Sequence, residues 1–241
     1  MTSRKRKSKS LAESAPKVVK LKNRNEVSVF DGEILQGDQE VRERDGYSEE
    51  IPKKNKRGVL IFKDNPEFKP NLTPKEVLQA GSFGGTYFRP IYSSITKLNY
   101  DKQWEELPQN WLENLNIKKQ VASPFYDITL NENKVKCGGD LEMWESSGWI
   151  KKQDPYGWFQ WYCRFYLGRR TSDDARQIKR WNNCTGPKGR WKNNLIGKIF
   201  RAKGTFNTRS ISPVVRQVLL HWAYRLTEYD YEARKKVLMG K

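Results

Sequence analysis

Six side chains are of types that carry chemistry and sit in unusual surroundings: Asp154, Tyr156, Cys163, Asp173, Asp174 and His221. Carboxylates serve as general acids or bases, and a cysteine beside a histidine serves as a nucleophile with its base. No two of the six stand at the local spacing such a pair needs. A Cys163–His221 dyad would require the fold to bring distant segments together; a core cysteine and a hydrogen-bonded helical histidine is the simpler reading. Cys137, Cys163, Cys184 and the sole histidine would also make four zinc ligands, but no C-x-x-C pair presents two of them together. Neither a metal nor a cofactor is expected. The odd number and wide spacing of the cysteines fit reduced thiols in a cytosolic or nuclear compartment.

The stretch from Asp154 to Arg170 interleaves aromatics with arginines. Trp158, Trp161, Tyr162, Phe165 and Tyr166 lie at helix-compatible spacing, which favours an aromatic core face over a surface stacking platform. Arg164, Arg169 and Arg170 are suited to carboxylate or cation–π partners, with Asp173 and Asp174 close by in sequence. Asp154, Arg169 and Arg170 together offer an alternative, a site for a phosphorylated small molecule.

Charge is the stronger guide. The chain has 46 Lys and Arg against 28 Asp and Glu, a net +18, and residues 151–203 hold fourteen of the basic residues but only three acidic ones. Here Arg169, Arg170, Arg176, Lys179, Arg180, Lys188, Arg190 and Lys192 flank Trp181 and Trp191. Such a surface suits nucleic acid, DNA or RNA, as partner. Two other readings stay open: a scaffold whose arginines brace carboxylates internally, and an adaptor that binds another protein through its aromatics.

The elements that must position these residues follow from pattern. Residues 1–57 alternate basic and acidic blocks with few aromatics and read as a disordered charged arm. Its opening cluster, Arg4, Lys5, Arg6, Lys7 and Lys9, is a candidate nuclear-import signal, so a nuclear address is expected, with the cytoplasm as the alternative. No run approaches the length of a membrane span, so no membrane partner is expected. One globular domain should occupy 58–241. Its first part, 58–150, reads as mixed α and β: a strand at Gly58–Phe62, a helix opened by the capping box Thr73-Pro74-Lys75-Glu76, a glycine-rich turn at 81–86, two helical pieces split by Pro108, and a hairpin between Phe125 and Val135.

The second part, 151–241, reads as helical. One helix follows Ser172-Asp173-Asp174 and ends at Gly186-Pro187. Another carries Trp191, Leu195 and Ile199, with a connection between them that looks longer than a helix-turn-helix allows. A third, opened by Ser212-Pro213, carries the stripe Val215, Val218, Leu219, Trp222 and Leu226; a last one starts at Glu228. The fold class is therefore α+β, with a mixed half packed against a helical basic half.

The block from Asp140-Leu141-Glu142-Met143-Trp144-Glu145 through Gly148-Trp149-Ile150, the aromatic run, Gly168-Arg169-Arg170 and Asp173-Asp174-Ala175-Arg176-Gln177-Ile178 is distinctive. Together with Gly84–Ile91, Ser212-Pro213 and His221–Tyr224, it resembles a family of uncharacterised proteins of fungi and other microbial eukaryotes. The resemblance covers roughly residues 58–227. It implies one folded unit and no particular activity.

Overall fold

The structure, a computed structural model, describes residues 36–240. At its centre lies helix α4, Trp158–Tyr166, in which every residue except Arg164 is buried. The helix can be apolar all round because other elements cover each of its faces. Phe68 is the keystone. Fully buried, its ring meets Phe62 at 5.1 Å, Trp161 at 5.6 Å, Tyr162 at 5.8 Å, Phe165 at 5.5 Å and Trp181 at 5.2 Å. The aromatic run thus forms the core, as its spacing favoured.

Helix α1, Gln36–Asp45, corrects the expected boundary of the charged arm. From here on the chain belongs to the body: Val41 and Ile51 are buried, buried Asp38 accepts the Trp111 indole N–H at 3.0 Å, and Glu49 N donates to Gly168 O. Gly168, with φ 106°, has to lack a side chain, because a Cβ would stand 2.3 Å from Glu49 O. Few apolar residues are needed where one helix face is held by a buried aspartate, so composition alone misses the segment. The import candidate Arg4–Lys9 lies outside the described residues.

The mixed part is built from short pieces. Strands β1 (Lys53–Lys54) and β2 (Leu60–Ile61) pair antiparallel, as do β3 (Ile91–Ser93) and β4 (Leu98–Tyr100). Helix α2, Pro74–Ala80, has the expected capping box: Thr73 Oγ1 accepts from Glu76 N at 3.1 Å and the Glu76 carboxylate accepts from Thr73 N at 2.7 Å. Pro108 separates two 3-10 turns, Gln103–Glu106 and Gln109–Trp111. The hairpin expected between Phe125 and Val135 is absent, and a 3-10 turn, Ile128–Leu130, stands there. Its flanking amides bond to the glycine-rich turn rather than to each other, Asp127 N to Gly84 O and Glu132 N to Gly81 O. Cβ atoms at Gly81 and Gly85 would lie 2.2 and 2.1 Å from carbonyl oxygens of Leu130 and Lys119. Close loop packing explains these glycines, and the amides of Phe83 and Gly84 are engaged by His221 and Asn131 rather than free for phosphate. Helix α3, Leu141–Ser146, leads into the centre.

The helical part comprises α5 (Asp174–Thr185), α6 (Arg190–Arg201), α7 (Pro213–His221) and α8 (Glu228–Leu238), with α6 packed against the other three. The connection of α5 to α6 spans only 186–189, shorter than the sequence suggested and within helix-turn-helix proportions. Helix α7 stops at His221, so the stripe expected to run to Leu226 is only partly helical and Trp222 is half-buried. Asn71 causes the stop. Asn71 N and Leu72 N donate to Ala223 O, while the Asn71 side chain exchanges hydrogen bonds with Arg225 O (2.7 Å) and Arg225 N (2.8 Å).

Candidate nucleic-acid interface

Segment 151–203 has only three carboxylates, Asp154, Asp173 and Asp174, and all are buried. Asp154 accepts from Arg164 Nη1 at 2.9 Å and from both terminal nitrogens of Arg169, at 2.8 and 2.7 Å. Arg164 also bridges to Glu106. Burial opposes the Arg164 cation, yet Glu106 and Asp154 outweigh it and hold its pKa above the ordinary guanidinium value. Arg176 pairs bidentately with Asp173. Asp174 accepts the Trp161 indole N–H at 2.8 Å and the amide of Thr171 at 2.8 Å. Arg170 reaches out to Asp64 and lies 3.8 Å over the Phe165 ring, and its hydrogen bonds lower the Asp64 pKa.

The basic residues expected to face nucleic acid therefore divide. Arg169, Arg170 and Arg176 are engaged with carboxylates, and Lys192 is buried on the inner face of α6, its Nζ 3.9 Å from Asp230. Burial lowers the Lys192 pKa. These four leave the candidate surface because a guanidinium in a bidentate pair has no free fork for phosphate, and a covered ammonium cannot reach one. Arg180 is half-buried without a carboxylate partner among the described residues. Lys179, Lys188 and Arg190 are exposed.

Lys198, Arg201 and Lys203 complete the exposed set. Arg190, Asn194, Lys198 and Arg201 are all exposed, at four-, four- and three-residue intervals along α6. At 100° per residue they fall within about 80° of one another, and they extend for about 16 Å at 1.5 Å per residue. The opposite face, Leu195, Ile196 and Ile199, is fully buried. The signal for this stripe was the complement of the Trp191–Leu195–Ile199 spacing; counting cations in sequence order concealed it.

The phosphorylated-ligand alternative loses its residues. Both oxygens of Asp154 are engaged, and a cleft of about 420 Å³ nearby is lined by Glu49–Asn55, Ile61, Lys63 and Asp64 without Asp154, Arg169 or Arg170.

The structure brings His221 to Cys137, not to Cys163, which is fully buried in α4. Phe83 N donates to His221 Nε2 at 2.9 Å, so the neutral ring carries its proton on Nδ1, which faces Cys137 Sγ at 3.5 Å. A base would need that nitrogen free. Burial lowers the His221 pKa to about 3 and raises the Cys137 thiol to about 12, the reverse of a thiolate–imidazolium pair. Tyr156 donates its hydroxyl to Arg89 O, and burial raises its pKa. Among the described residues, no three His, Cys, Asp or Glu side chains converge as a metal set would, and no helix is long and apolar enough to cross a membrane.

A 91-residue stretch, 34% of this chain, is 35% identical to a protein named translation factor guf1, mitochondrial, of Talaromyces stipitatus. The match spans 12% of that protein's length. No family model matches the chain, and no solved structure matches it.

Proposed function

We propose that this protein binds nucleic acid through its phosphate backbone, with the outer face of α6 as the main contact. One observation carries the reading: every carboxylate of segment 151–203 is buried and engaged, so the charges this segment turns to solvent are all positive. Phosphate neutralisation by Lys and Arg releases condensed counterions, and affinity then falls steeply with salt. Arg190, Lys198 and Arg201 have no carboxylate partner among the described residues, so removing them costs no ion pair.

The test is salt-titrated binding of the full chain and of an Arg190→Gln, Lys198→Gln, Arg201→Gln triple variant. Each lost phosphate contact should reduce the slope of log affinity against log salt by about 0.7–0.9, the larger value for duplex, so the triple variant should lose about 2–3. A parent chain that binds no nucleic acid at low salt, or a variant with an unchanged slope, overturns the proposal.

A further inference from the structure

We propose that Trp149, Arg180 and Trp222 form a stacking site for an unpaired base, so that the nucleic acid held by this protein is single-stranded. This rests on the phosphate-binding reading and adds the kind of strand.

Trp149 is 41% exposed, an uncommon position for an indole. Its backbone is nonetheless fixed: its amide donates to Trp144 O at 2.9 Å and its carbonyl accepts from Arg176 Nη2 at 3.3 Å. Arg176 is in turn held by Asp173. An exposed ring on an anchored backbone is a platform formed before any ligand arrives, which reduces the ordering cost of binding.

The Arg180 guanidinium lies over two indoles, 5.2 Å from the Trp149 ring centroid and 5.5 Å from that of Trp222. Trp222 rests on buried Trp158 at 4.6 Å. Of the Arg180 donors, Nη1 goes to Gln177 Oε1 at 2.9 Å, and no carboxylate joins it among the described residues. Burial, with Arg176 beside it, lowers the Arg180 pKa to about 10, so the cation remains charged at neutral pH but under-compensated. An anion is what this position lacks.

An indole with one face toward a guanidinium and area open to solvent can take a base on that open area, with the adjacent phosphate at Arg180. Bases in a duplex hide their faces in the stack, whereas an unpaired base presents them. A duplex would meet the α6 cations and leave Trp149 unused.

Full-length protein should be titrated at one salt concentration with oligo(dT), oligo(rU), a duplex of equal phosphate number, and heparin as a polyanion without bases. The parent should bind at least one single strand about tenfold tighter than duplex. Trp149→Ala should abolish that preference while leaving duplex and heparin affinity and the melting temperature unchanged. Trp149→Phe should restore part of it, and Arg180→Gln should weaken single strands more than duplex. Equal parent affinity for single strands and duplex, or a preference that survives Trp149→Ala, overturns this inference and leaves the phosphate reading intact. A parent that binds none of these polymers overturns both.

Discussion

The arginines around α4 and the cations along α6 are neighbours in sequence and of the same chemical kind, yet the fold uses them in opposite ways. Arg164, Arg169 and Arg176 turn inward onto carboxylates of low exposure, and Arg170 closes on Asp64 and Phe165. Arg190, Lys198 and Arg201 turn outward with no acid opposite. Placement of the carboxylates makes the difference. Asp154 precedes α4 and Asp173 and Asp174 open α5, where local turns bury them; helix α6 has no acid of its own. Burying the acids also exposes the positive charge elsewhere, so one arrangement serves both stability and surface potential.

The largest expected effect breaks the inner network. Asp154→Ala would leave Arg164 and Arg169 without their shared, 1% exposed partner. The cost should be about 3–5 kcal/mol, or a melting temperature lower by about 10 °C. A drop within about 2 °C would put these pairs on the footing of surface salt bridges and remove the contrast. Next comes the core beside the network: Trp161→Ala should cost about 3–5 kcal/mol, whereas half-buried Trp222→Ala should cost nearer 2 kcal/mol. Denaturant midpoints of the two variants measure the ratio, and equal losses would mean that Trp222 is as enclosed as Trp161.

The pH dependence is smaller and has a definite sign. His221 titrates near 6.5 in an unfolded chain and near 3 in the fold. Between those values the unfolded state holds a proton that the native state refuses, so stability should decline as pH falls through that window. His221→Gln, which can still accept the Phe83 amide, should flatten this part of the profile; an unchanged profile would assign the decline to other groups. Smallest of all is the stability effect of the α6 triple variant, expected within about 0.5 kcal/mol because exposed, unpaired side chains are removed. A fall of several kcal/mol would show those cations to be structural and erase the distinction between the two regions.

Local rules sufficed where a few adjacent residues settle the outcome. Thr73-Pro74-Lys75-Glu76 opens α2 by itself, Pro108 divides two turns because it lacks an N–H, and Gly186-Pro187 ends α5. The helix-spaced aromatics 158–166 could be assigned to the core from pattern because their number is too great for one exposed face. Tertiary structure alone decided the rest. Asn71 ends α7 from across the fold, the glycine turn at 81–85 takes the hydrogen bonds of an expected hairpin, and Asp38 draws a charged helix onto Trp111. Which arginines face water belongs to the same class: the sequence determined the excess of positive charge in 151–203, but a guanidinium reaches far enough to pair with any carboxylate the fold brings near, and Glu106 and Asp64 come from segments remote in the chain.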